Sequence, residues 1–407
     1  MNFFFAWRYF NAKKSTNAIN IIAWISITAF TFGTAVLILV LSVFNGFEGL
    51  VKSLYSSFYT DLKIFPIQGK VLTLTEDQLR KIKSVKGINV VSLLVEEKAL
   101  LQNGPHQSIV SLKGVDSNYQ NVSGVSKNLI NGRFELGNES QPMVVLGAGI
   151  ENALAIQSDR NVLPILVHIP KKIKGMNLQL SENISTGAVF TSGAFSIQSD
   201  FDNKYAITNL SFVKQMLGLQ KDEFTAVEIS VSNIDLTEKL QKNIAELLGE
   251  NYLVQTKFQQ NQDLYSIMQA EKWVIYAVLC LILIIAAFNM IGTLTMLVLE
   301  KKKDISVLHA LGGSNYFIQK IFLTAGVLLA IIGGIMGMLL ALIMAWLQVT
   351  FKLIPLQGGS FLIDHFPVQL QLVDFLLVGV TIFVIAILAS WIPSKKAANQ
   401  SFTLRTD

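Results

Sequence analysis

The sequence predicts a membrane protein: four transmembrane α-helices, with a large α+β periplasmic domain inserted between helix 1 and helix 2. Three observations carry this. Of 407 residues, 51% are hydrophobic and only 15% charged, where an ordinary soluble domain is about 25% charged. Four long stretches hold no charge at all, and a spanning helix needs roughly 20 mostly apolar residues. Between the first two stretches lies a segment of ordinary mixed composition, residues 45–272, that reads as folded.

Residues 1–17 are a basic N-terminal segment. The first span is placed at 18–44, densest at 19–44. It is far longer than the roughly 7–15 apolar residues of a signal peptide, and no A-x-A site follows it, so it is expected to stay as an uncleaved anchor. The inserted domain is 45–258. In it, Thr75 followed by Gln78 is a capping box that starts a helix after a short strand at 71–74. Strands at 90–101 and 108–115 flank Asn103, Gly104 and Pro105, a hairpin signal. A strand at 205–208, a helix from about Leu210 and a strand at 226–231 follow, then a helix over 235–248 with Ile244, Leu247 and Leu248 on one face. Such alternation argues α+β.

A helical stalk is expected over 259–272, running from about Phe258 straight into the second span at 273–299, where 27 residues are uncharged. The loop 300–320 leads to the third span, 321–351, with 31 uncharged residues. A short outer loop, 352–374, precedes the fourth span at 375–394, which has 20. The tail is 395–407.

Charge sets the expected orientation. Arg8, Lys13 and Lys14 stand in residues 1–16 without an acid. The 300–320 loop holds Lys301, Lys302, Lys303 and Lys320 against Glu300 and Asp304, and the tail Lys395, Lys396 and Arg405 against Asp407. The outer loop has only Lys352 against Asp364 and Asp374. Both termini and the 300–320 loop are therefore expected in the cytoplasm, and the insert outside. The insert carries 22 basic and 23 acidic residues. The chain's net +5 thus lies in the flanks, where it anchors topology and does not argue for nucleic acid.

Several chemistries lack their residues. No G-x-x-x-x-G-K-[ST] loop occurs. His106, His168, His309 and His365 are scattered, without metal-like spacing, so no metal site is expected. Cys280 is the only cysteine. No nucleophile elbow or zincin motif is present. The adjacent Glu96 and Glu97 read as a solvated strand end. The spans as bounded here contain no Asp, Glu, Lys, Arg or His, which argues against ion coupling. A non-enzymatic chain with an apolar or lipid-anchored substrate fits better.

Three segments are candidates for function. Residues 303–311 can form a short amphipathic helix with Ile305, Leu308 and Leu311 on one face. Gly312 and Gly313 end it, and Ser314 caps the next helix. Such a helix either transmits motion from a soluble partner or lies on anionic membrane lipids. In the third span, Gly333, Gly337, Ala341 and Ala345 form one row of small residues, and Gly326, Ala330 and Gly334 another. Such rows allow close helix packing. In the first span, Ile25, Phe30, Phe32, Leu37, Val43 and Phe44 could line an acyl-chain groove or equally face bulk lipid.

A resemblance adds to this. F-F-A-W-R-Y-F-N-A-K-K-S-T-N-A-I-N-I-I-A-W-I-S at 4–26 and V-L-S-V-F-N-G-F-E-G-L at 40–50 resemble the start of lipoprotein-releasing ABC permeases, the LolC/LolE family. D-I-S-V-L-H-A-L-G-G-S at 304–314 resembles the coupling segment of that family and of the wider FtsX-like, MacB-type permeases. F-P-V at 366–368, W-I-P-S-K-K-A-A at 391–398, and Leu404 with Arg405 resemble its C-terminal part.

The resemblance implies half of a type VII ABC transporter in the bacterial inner membrane. A separate LolD-like ATPase would bind ATP and magnesium, and this chain would bind no cofactor. A second permease copy or paralogue would complete the pair. Acylated lipoproteins would be extracted from the membrane and passed to a LolA-like periplasmic carrier. It also implies that Glu300, Lys303, Ile305, Leu308, His309, Leu311 and Gly312 couple to the ATPase. The family's carrier-binding member bears a hairpin hook, for which the nearest candidate is 169–183, with Lys171, Lys172 and Lys174. A LolC-like, LolE-like or combined role stays open. The alternative is another mechanotransmission permease, exporting a peptide or lipid or controlling cell-wall hydrolases.

Overall fold

The computed structural model describes residues 17–160, 163–170, 184–356 and 365–399, with side chains from Ile21 onward. The N-terminal motif before residue 17, Leu404 with Arg405, and all of the hook candidate beyond Pro170 lie outside the described residues. The chain divides into a helical unit, Met1–Leu50, Ser266–Gln357 and Ile363–Asp407, and a sheet unit built on Val51–Tyr265.

Helix α1 runs Asn17–Phe58, well past the expected end at residue 44. The extension has no proline and repeats Leu50, Leu54 and Phe58 at four-residue spacing, which keeps an apolar stripe on one helix face. Leu54 and Phe58 are buried.

Among the described residues, the sheet unit contains twelve strands: β1 Leu62–Pro66, β2 Leu72–Thr73, β3 Ile88–Asn103, β4 His106–Val115, β5 Leu129–Gly132, β6 Met143–Gly147, β7 Ile165–Pro170, β8 Ile184–Phe195, β9 Tyr205–Asn209, β10 Glu223–Phe224, β11 Ala226–Val231 and β12 Tyr252–Thr256. Its helices are α2 Glu76–Ser84, α3 Tyr119–Val122, α4 Ala148–Ala153, α5 Ser199–Asp202, α6 Leu210–Leu217, α7 Thr237–Leu248 and α8 Lys257–Gln260.

Ten strands make one sheet in the order β12-β1-β11-β3-β4-β9-β6-β8-β5, with β7 pairing both β3 and β8. The long β3 divides this sheet into two lobes. Its first half pairs with β11, from Ile88 to Leu94. Its second half pairs with β4 from Leu94 to Asn103 and with β7 at residues 100–102. The path β3-β4-β9-β6-β8-β7 then returns to β3, so six strands close on themselves and leave no free edge on that path.

Residues alternating along these strands fill the closed lobe, as with Ile165, Val167 and Ile169 of β7. The open lobe packs Leu62, Ile64, Val227 and Ile229 under α2 and α7. Leu240, Ile244 and Leu248 are the buried stripe of α7. That helix is preceded by a 3-10 turn at Ile234–Leu236, so the α-helix proper starts at Thr237. The capping box at Thr75 and Gln78 is formed. Strands β1 and β12 pair antiparallel, Leu62 opposite Thr256. The chain therefore enters and leaves this unit at adjacent positions.

The stalk expected as one helix is broken. Helix α8 ends at Gln260 with Asn261 as its cap, and α9, Gln262–Glu300, begins immediately after. Asn261 turns its side chain back to the Lys257 carbonyl, a local bond that competes with helix continuation. The remaining helices are α10 Lys302–Ala310, α11 Asn315–Phe351 and α12 Leu372–Ala398. Helix α11 begins at the Ser314 cap, whose hydroxyl accepts from the Phe317 N–H. Helices α1, α9, α11 and α12 are each long and apolar enough to cross a membrane. The described tryptophans are all exposed. Trp24 and Trp391 mark one end of the helical unit, and Trp273 and Trp346 the other, as expected of belts at the two membrane interfaces.

Candidate functional site

The spans meet through the glycine rows of α11. A Cβ on Gly333 would stand 2.7 Å from Phe30 Cβ, and one on Gly337 would stand 2.6 Å from Thr34 Cβ. That row, continued by the buried Ala341 and Ala345, lies against α1. The second row faces elsewhere. A Cβ on Gly326 would collide with Ser390 of α12 and come 2.7 Å from Leu294 of α9, and Gly334 faces Ile382 of α12. Lipid is as apolar as these side chains, so close backbone approach and van der Waals packing hold such helices together. Ser26 of α1 adds a buried hydrogen bond to Thr293 of α9, 2.6 Å.

The residues suggested for an acyl groove separate. Phe30 and Leu37 are wholly buried in the span core, because they lie on the α1 face turned to α9 and α11. Ile25 and Phe32 are exposed on another face, and Val43 and Phe44 are half-buried. The six therefore do not form one surface.

The coupling segment forms one residue earlier than expected, with Leu311 as its C-cap. Gly312, at φ +86°, takes the left-handed conformation that favours glycine. Ile305 is 1% exposed and joins the span core with Leu297, Ile318 and Phe322. It is therefore not free to enter a partner's cleft. Leu308 and His309 are half-buried, Lys303 is exposed, and Glu300 closes α9. The exposed apolar groups are Val307 at 58%, Leu311 at 79% and Tyr316. Of the stripe expected from helical spacing, Ile305 turns inward and Leu308 is half-buried, whereas Leu311, at the C-cap where the helix ends, turns outward with Val307.

Two groups of buried charges escape the sequence reading. In the sheet unit, Lys113 of β4 is 1% exposed and Glu228 of β11 is 2% exposed. Lys113 Nζ donates to Glu228 Oε1 at 2.7 Å and to the Tyr119 hydroxyl at 3.1 Å. Lys63 of β1 lies 3.3 Å from the same Oε1. Burial raises the Glu228 pKa, but the ammonium charges of Lys113 and Lys63 outweigh it and hold the carboxyl below its ordinary value. Burial pushes the Tyr119 phenol well up.

Glu96, expected at a solvated strand end, sits mid-strand opposite Lys113, 3.8 Å from Lys63 and bonded by Ser111. Glu97 pairs with Lys70 at 3.2 Å. Phe58, at the end of α1, lies 5.1 Å from Lys113 Nζ and stacks on Phe201 at 4.4 Å. Tyr55, Tyr59 and Tyr205 complete this aromatic group. Single-residue alternation marks these strands, but nothing local shows that four charges on four neighbouring strands share one face.

In the helical unit, Asp374 of α12 is 2% exposed. Lys272 of α9 stands 3.2 Å from its Oδ1 and donates to Asn45 Oδ1 at 2.8 Å. Asn45 of α1 donates to the other Asp374 oxygen. The charge-free runs exclude Lys272 and Asp374 by definition, although the helices that contain those runs include both.

Four candidate spans packed through glycine rows, with a two-lobed sheet inserted between the first two, mark a multi-pass membrane protein with a large extramembrane domain. A family model for the MacB-like periplasmic core domain matches residues 23–246, more than half of the chain, and one for the FtsX-like permease C-terminal part matches 276–402. The chain belongs to the FtsX-like permeases that carry a MacB-like periplasmic core domain. It is similar to the lipoprotein-releasing system transmembrane protein LolE of Haemophilus influenzae, 25% identical over 98% of this chain and 97% of that one. It is equally similar to LolC of Neisseria meningitidis serogroup B, 25% identical over 96% and 95%. Among solved structures, the periplasmic region of MacB from Actinobacillus actinomycetemcomitans aligns with 53% of this chain and 98% of its own, at TM-score 0.36 and 14% identity.

Proposed function

We propose that this chain is the permease subunit of an ABC transporter that releases acylated lipoproteins from the inner membrane to a periplasmic carrier. The observation that carries the reading is its similarity, along nearly the whole length of both chains, to LolC and LolE proteins named for lipoprotein release. ATP hydrolysis belongs to a separate ATPase. In this reading both termini and α10 are cytoplasmic and the sheet unit is periplasmic, which agrees with the basic residues in the short flanking segments.

Val307, Leu311 and Tyr316 supply an apolar surface for the ATPase, with Lys302 and Lys303 solvated beside it. Closure of the ATPase would displace α10, and α9 would carry that displacement toward the sheet unit. A second copy or a paralogue would complete the permease pair, and its lipid-facing spans would meet the acyl chains. Depletion of the chain in its source cell tests the reading. Lipoproteins destined for the outer membrane should accumulate in the inner membrane, and normal sorting after depletion would refute it.

A further inference from the structure

Asn45, Lys272 and Asp374 come from three different spans, α1, α9 and α12, and meet at the end of the helical unit marked by Trp273 and Trp346. A chain segment is strapped over the same place. The Gln369 N–H donates to the Ser42 carbonyl at 2.9 Å, and Asn45 also donates to the Gln369 carbonyl at 3.4 Å. Phe366 packs edge-on against Phe47, 5.8 Å between rings. Gly46 meets the Pro367 backbone so closely that any Cβ would collide with it. N-G-F-E-G in α1 is therefore a docking surface for residues 366–369: asparagine for the polar bonds, glycine for the close approach.

A carboxylate buried between helices is stable only while its partners stay in place; removing one partner leaves an uncompensated charge. The Ser26–Thr293 bond, the hydrogen bond between Tyr276 of α9 and Thr381 of α12, and the α11 glycine rows also hold the bundle and involve no charge. The triad is thus a contact among these spans whose opening leaves a buried charge uncompensated unless water reaches it. We propose that Lys272, Asp374 and Asn45 form an electrostatic lock that holds α1, α9 and α12 together at this end, and that the three helices part there only when the ion pair opens to water. The lock is a property of this chain alone and does not rest on the transport reading.

The test uses the full chain in lipid nanodiscs, with Cys280→Ser as background. Ser42→Cys reports on the strapped end and Ile318→Cys on the core at the opposite end; both positions are buried. The reagent is a charged maleimide. Lys272→Met should accelerate labelling at Ser42→Cys by roughly tenfold or more, given the penalty for an unpaired buried carboxylate, and leave Ile318→Cys protected. Lys272→Arg, and the swap of Lys272→Asp with Asp374→Lys, should return labelling to the slow rate. Unchanged labelling at Ser42→Cys in Lys272→Met would overturn the lock. Equal acceleration at both cysteines would also overturn it, as it would show general loosening, and so would failure of both charge-restoring variants.

Discussion

Lys113 holds its place because three oxygen-bearing or aromatic partners replace the water it has lost. Glu228 and Tyr119 accept hydrogen bonds from its ammonium, and Phe58 and the Tyr119 ring face its charge. Breaking a buried pair by removing one partner typically costs about 3–5 kcal/mol. Lys113→Met should therefore destabilise the sheet unit by about that amount, measured as lost hydrogen-exchange protection of β4 and β11 in the full chain. Glu228 adds a pH dependence whose sign follows from its lowered pKa. Its ionised form is favoured by folding, so its stabilisation is complete above the ordinary carboxylate value of 4.5. It is lost as the pH falls from there through the lower folded value. Glu228→Gln should flatten the acid dependence of β11 protection; an unchanged profile would place the acid sensitivity elsewhere. None of this is legible locally. Lys63, Glu96, Lys113 and Glu228 are far apart in sequence, and each reads alone as an ordinary surface charge.

The helices are the most legible elements, because a charge-free run of such length is long enough to cross a bilayer and rare in a soluble core. Their ends are less so. A count of uncharged residues stops at the first charge, whereas a helix stops where its backbone bonds do. Hence α1 runs past residue 44, and Lys272 and Asp374 fall inside α9 and α12. The spacing of Gly333 and Gly337 is readable, but their partner, α1, is not. Overpacking a tight contact costs typically about 1–3 kcal/mol. Gly337→Leu should lower the thermal midpoint of the chain in nanodiscs. Gly292→Leu, at a position where a Cβ meets nothing within 4 Å, should leave it nearly unchanged. Equal losses would remove the α1–α11 contact as the reason for the glycines.

On α10 the segment is recognisable from its residues but its working face is not. Ile305 fills the chain's own core, so its substitution would damage folding and coupling together. Val307 and Leu311 point outward. Leu311→Asp should abolish co-purification of the ATPase while the chain still inserts, since truncating an anchor at an interface centre often costs more than about 1–2 kcal/mol. Lys303→Ala should change recovery little, because exposed charges contribute roughly 0–1 kcal/mol. Undiminished ATPase recovery with Leu311→Asp would show that α10 is a linker.

At the scale of the whole molecule, the composition and the four runs announce an anchored protein with a large inserted domain, and the matches along its length agree on a permease. The closed six-strand path could not be foreseen, because β3 pairs with three different strands along its length and sequence alternation names no partner. The central claim is that the chain moves lipid-anchored proteins out of a membrane on a partner's ATP. Its most direct measurement is release of a fluorescent triacylated lipoprotein from proteoliposomes. These would contain the chain with any second permease that co-purifies from its source, the co-purifying ATPase, and added periplasmic carrier. The account predicts soluble lipoprotein–carrier complex only when ATP is present, and none when Leu311→Asp replaces the native chain. Lipoprotein that stays in the bilayer while ATP is hydrolysed in the native assembly would contradict it.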